Sequence, residues 1–96
     1  MIHVGSLTGT GTLMLNSEVE LAKTDYSIHV WTDDEKTAKR ADGKIETHDF
    51  AIDRAIAAGS AKLRLESGGE IEIVVRPHRI MAGRADVSVR GRVPGF

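Results

Sequence analysis

The chain has no cysteine among its 96 residues. That excludes disulfide staples and thiolate chemistry, and it removes the thiolate ligands of most structural zinc sites. It fits a reducing compartment, and a cytoplasmic location is expected. Aromatic residues are scarce: one Trp, one Tyr and two Phe. No apolar run approaches the roughly 18 residues of a membrane-spanning helix. The opening Met1-Ile2-His3-Val4-Gly5 has neither the basic nor the apolar segment of a leader, so no signal peptide is expected. Charge of one sign is also lacking. The net charge is −1, which gives no overall attraction to nucleic acid or to a membrane.

With 41% apolar and 28% charged residues the composition is that of a folded domain. A chain of this length makes one domain with a single modest core. The charge is unevenly divided. Residues 1–53 hold ten acids and five bases, a net of −5; residues 54–96 hold four acids and eight bases, a net of +4. Two halves that fold together and attract each other account for this most simply.

The clearest internal signal is an echo. Thr12-Leu13-Met14-Leu15 followed by Glu18-Val19-Glu20-Leu21 resembles Lys62-Leu63-Arg64-Leu65 followed by Glu70-Ile71-Glu72-Ile73, and Arg40-Ala41-Asp42 recurs as Arg84-Ala85-Asp86. Apolar residues alternate within these runs, the period of half-buried strands. An Asn16-Ser17 turn joins the first pair. For the second, a loop of Ser67-Gly68-Gly69 would set Leu65 opposite Ile71 and Leu63 opposite Ile73, with a glycine at its left-handed end. Both second strands then change phase, so bulges are expected near Lys23–Asp25 and near Arg76–His78, the latter beside Pro77.

In the last strand Ala85, Val87, Val89, Gly91 and Val93 are expected to face inward. An Ala82-Gly83 turn would pair Arg79 with Asp86 and, beyond the bulge, Glu72 with Arg92; across the preceding hairpin Glu72 would also face Arg64. Ala41, Gly43, Ile45 and Thr47 form the inward set of the third strand. Between the two units, Phe50–Ala58 reads as a helix capped by Asp49 or Thr47 and stopped by Gly59. Its face of Ile52, Ala55, Ile56 and Gly59 would pack on a barrel opening. The expected fold is all-β with one short helix. It is a six-stranded small barrel or β-sandwich, built from two pseudo-repeated three-stranded meanders (about 9–47 and 61–93) joined by a helix at 49–58.

Gly9-Thr10-Gly11 lacks the following helix and the lysine of a phosphate loop, and reads as part of a twisted first strand. Histidines are not spaced as metal ligands, and His78 reads as a core residue. Neither a nucleophile motif nor an acid–base pair is present, so catalysis, cofactors and metals are not expected. Two surfaces remain. His29 and Trp31 share one strand face beside the charged stretch 32–39, and Trp31 is a candidate partner anchor. Arg76, Arg84 and Arg90 are the least compensated members of a basic stripe, which in small barrels serves single-stranded nucleic acid when aromatics interleave with it; here none does. Phe96 is a further candidate contact. The function expected is a non-catalytic cytoplasmic protein-interaction module that self-associates or takes a protein partner. The alternative is a weak nucleic-acid binder using the basic second unit.

Overall fold

A computed structural model of the protein describes residues 2–15, 19–33, 39–77 and 81–94. The strands are β1 (Ile2–Met14), β2 (Glu20–Thr32), β3 (Lys39–Glu46), β4 (Ala61–Arg64), β5 (Glu70–Val75) and β6 (Arg84–Arg90), with α1 (Asp49–Ala58) between β3 and β4. They form one closed antiparallel barrel in the order β1-β2-β3-β6-β5-β4. Each set of three consecutive strands is a meander. The two are sewn together along β3–β6, where Gly43 faces Val87 and Ile45 faces Ala85, and along β1–β4, where Leu13 faces Leu63.

The period-2 pattern sets the interior. Leu13, Tyr26, Ile28, Val30, Ala41, Ile45, Leu63, Ile71, Ile73, Val75, Ala85 and Val87 share one core cluster. Ala51, Ile52 and Ala55 of α1 join it, with Ile56 packed at its margin. The helix lies against β5 and β6, and its small residues allow the close approach. Crossing the end of the barrel also carries the chain from β3 to β4, which lands beside β1 rather than beside β3.

Gly59 (φ 86°) ends α1 as expected, and the N-cap position falls on His48, between the two proposed caps. His48 makes no side-chain cap bond. The Thr47 hydroxyl instead donates to the Lys23 carbonyl at 2.8 Å, and the Asp49 carboxylate accepts from the Gly83 amide at 2.8 Å. Both side chains find partners across the barrel end, and so tie the helix start to β2 and to the turn before β6. Gly59 is exposed rather than part of the packed face.

Register departs from expectation by whole pleats. In β4–β5, Leu63 faces Ile71, Ala61 faces Ile73, Lys62 faces Glu72 and Arg64 faces Glu70. The loop is Glu66-Ser67-Gly68, closed by the Leu65 amide on the Gly69 carbonyl at 2.7 Å, with Gly68 in the left-handed region (φ 98°). In β5–β6, Glu72 faces Arg90 instead of Arg92, and the Arg76 amide bonds the Asp86 carbonyl. Both shifts are of two residues, so apolar still faces apolar and the hydropathy pattern does not separate the alternatives. Gly91, expected inward, is exposed with φ 77° just after β6 ends. Val93 beyond it still packs on the core.

The bulge expected near Lys23–Asp25 occurs earlier, with Leu21 as the extra residue between the pairs Leu13–Ala22 and Met14–Glu20. A second register shift, unforeseen, makes Val4 the extra residue between the pairs His3–Trp31 and Gly5–Val30. The Asn16-Ser17 turn, His78, Arg79 and Phe96 lie outside the described residues, as do residues 34–38 of the charged stretch 32–39 and the part of the second expected bulge, near Arg76–His78, that follows Pro77.

Glycine governs two close approaches. At Gly11 a Cβ would stand 2.0 Å from the Arg64 carbonyl oxygen; at Gly43 it would stand 2.0 Å from that of Ser27. Gly11→Ala is therefore expected to lower stability by about 1–3 kcal/mol or more through overpacking. Gly68→Ala, with open space around it but a left-handed backbone, should lose about 1–2 kcal/mol. Urea denaturation midpoints of the two variants measure this ordering. Tyr26→Phe, which deletes the hydroxyl accepting the Glu66 amide at 3.0 Å, should cost about 1 kcal/mol in the same assay.

Candidate interaction surface

The features that could meet a partner lie on the outer face of β1, β2, β3 and β6, and along one edge of β1. β2 alternates Thr24, Tyr26, Ile28, Val30 and Thr32 inward with Asp25, Ser27, His29 and Trp31 outward. His29 and Trp31 are thus outside, as the sequence implied. Sequence reading missed a third ring, His3, which the barrel brings from 26 residues away. Its imidazole meets Trp31 edge-on at a centroid distance of 4.8 Å, and its Nε2 stands 3.3 Å from His29 Nδ1. The only signal for this contact is cross-strand, and the Val4 bulge that creates it has no hydropathy signature.

Beside this ring cluster runs a groove of about 440 Å³ lined by Ser27, His29, Asp42, Lys44, Arg76 and Asp86, with Gly43 and Val87 in its floor. A smaller one of about 300 Å³ continues past Lys44 to Asp25, Glu46 and Arg84. Acids and bases alternate across the strands: Lys44 faces Asp86 and Glu46 faces Arg84. Arg76 donates to Ser88 Oγ at 3.2 Å, and Arg84 Nε lies 3.3 Å from a Glu46 oxygen.

The five expected site residues therefore divide. His29 and Arg76 line one groove and Trp31 adjoins it. Arg84 borders the next groove, held by Glu46. Arg90 stands exposed at the far end of β6, opposite Glu72. The three arginines do not converge on one unopposed basic surface, and among the described residues no Phe, Trp or Tyr lines either groove except Tyr26, which borders the smaller one. Oppositely charged residues also meet where the halves join, as Arg84 with Glu46 and Arg64 with Glu20 at 3.5 Å. These pairs are exposed and are worth a few tenths of a kcal/mol each.

The β1 edge is the other feature. β4 pairs only Thr12, Leu13 and Met14. From Ile2 to Thr10, β1 has β2 on one side and, among the described residues, no strand on the other. No Asp, Glu, Lys or Arg occurs between Val4 and Leu15. Ser6, Thr8 and Thr10 are exposed on the outer side, and Ile2 and Val4 are about two-fifths exposed.

Among the described residues no group of three or more metal-type ligands converges, and no helix is long and apolar enough to cross a membrane. No protein-family model, curated protein or solved structure matches this chain. The molecule is thus defined by its fold and surface alone: a small closed β-barrel with a helix across one end, an aromatic-histidine cluster and a long open edge on β1.

Trp31 is half-buried and packed against His3. Acrylamide should quench its emission in the isolated chain, and His3→Ala should steepen the Stern–Volmer slope. An emission that acrylamide cannot reach would remove Trp31 as a partner anchor.

Proposed function

We propose that this barrel is a non-catalytic cytoplasmic interaction module that pairs with a second copy of itself through the edge of β1. The observation carrying this reading is the unpaired stretch Ile2–Thr10. Such an edge presents a row of backbone donors and acceptors to any extended strand. Edges of proteins that stay solitary are commonly blunted by lysine, proline or a bulge. Here the single bulge, at Val4, lies near one end, and Gly5–Thr10 remains regular and uncharged.

The same stretch is self-complementary. An antiparallel pairing centred on Thr8 sets Ser6 of each copy opposite Thr10 of the other on the outer face. On the inner face it sets Leu7 opposite Gly9, beside the Glu66 carboxylate and Tyr26 hydroxyl that stand over that glycine. Facing hydroxyls are favourable cross-strand neighbours; the Thr10 hydroxyl donates to Asp25 of its own chain at 2.7 Å and can still accept from Ser6 of the other.

Nucleic-acid binding by Arg76, Arg84 and Arg90 has less support, because among the described residues acids stand beside the arginines and no Phe, Trp or Tyr interleaves with them.

Sedimentation of the wild-type chain should show a concentration-dependent dimer that moderate salt leaves intact, since backbone pairing is little screened. The double variant Ser6→Lys/Thr8→Lys, both at exposed positions, should sediment as a folded monomer. A strict monomer for the wild type at high concentration in low salt refutes the proposal. For the alternative, mixed oligonucleotides should give no salt-dependent shift, and Arg76→Gln/Arg84→Gln/Arg90→Gln should behave as wild type.

A further inference from the structure

His3 is on the outer face only because of the Val4 bulge. With the regular register that runs from Gly5–Val30 to Leu13–Ala22, His3 would fall opposite Thr32, whose side chain points inward and is 3% exposed. The extra residue turns His3 over and pairs it with Trp31 instead. Bulges commonly re-aim a side chain in this way. Here the consequence is that two imidazole nitrogens, His3 Nε2 and His29 Nδ1, converge at 3.3 Å on an exposed surface.

That separation is longer than most hydrogen bonds from a ring nitrogen. It matches the bite of one tetrahedral ion: two nitrogens each 2.0–2.1 Å from zinc stand about 3.3–3.4 Å apart. Imidazole suits the borderline divalent cations zinc, copper and nickel. Asp42, opposite His29 on β3, pairs with Arg40 at 3.8 Å, and no third ligand converges on the two imidazoles among the described residues. Trp31 packs against His3 and restricts one side of that ring.

We propose that His3 and His29 form a two-imidazole site for a borderline divalent metal ion such as zinc, with water in the remaining positions. His3 belongs to the same open stretch of β1, but its partners Trp31 and His29 lie on the β2 side, so the site needs no second copy and stands whether or not β1 self-pairs.

Zinc is the probe, because it binds imidazole without displacing backbone amide protons. Increasing Zn2+ is added to the intact chain at neutral pH, at a concentration where it is monomeric, and the imidazole signals are followed by NMR. His3 and His29 should shift together in one saturable step while exposed His48 does not move. His29→Gln and His3→Gln, both at exposed strand positions, should each abolish the step, with backbone spectra otherwise preserved. Signals that do not move in the wild type overturn the proposal. So does a His3 shift that persists in His29→Gln, or a response of His48 equal to theirs.

Discussion

The barrel depends on how closely β4 can approach β1. At Gly11 the Arg64 carbonyl occupies the space that any other residue would fill with Cβ. That contact lets the four-residue β4 seat Leu63 against Leu13 and close the sheet. It also determines where pairing stops. Beyond Arg64 the chain crosses toward Gly9, where Glu66 and the Tyr26 hydroxyl stand over a second glycine. β4 therefore leaves β1 after three residues, and the rest of β1 keeps an open edge. Closure and exposure come from the same glycine-lined crossing.

Polar side chains finish what hydropathy begins. Thr47 and Asp49 would serve as helix caps in an isolated peptide, yet in the barrel they bond Lys23 and the turn at Gly83. A helix of ten residues draws its stability from tertiary packing. Spending its N-terminal side chains on the barrel therefore fixes its position at little loss. The opposite charges of the two halves have a similar use: Glu46–Arg84 and Glu20–Arg64 lie where the meanders join. Weak as such pairs are, they favour one alignment of surfaces over its neighbours.

Much of the fold was legible. Leu13, Leu63, Ile71, Ile73, Ala85 and Val87 are inward as their alternation implies, α1 spans the expected residues, and six strands close into a barrel. The misses share one cause. Registers of β4–β5 and β5–β6 differ from expectation by two residues, a shift that leaves side-chain faces unchanged and so leaves no mark in the pattern. The bulges at Leu21 and Val4 are likewise decided by strand pairing. Of the surface residues, His29 and Trp31 were identifiable as facing outward. His3, Asp42, Lys44 and Asp86 join His29 only through neighbouring strands. The arginine stripe read along β6 is real as an order of residues, but acids from β3 and β5 interrupt it as a surface.

The amino-acid sequence by itself determined most of the buried residues, where the helix starts and stops, and that two sets of three strands would share one core. Those properties are local: a period of two, a helical run, a glycine stop. Tertiary structure decided which strands close the barrel, how far β4 follows β1, and which face His3 occupies. These depend on contacts between residues far apart in the chain, such as Gly11 with Arg64 and His3 with His29. Their energies differ between registers while the hydrophobic pattern does not.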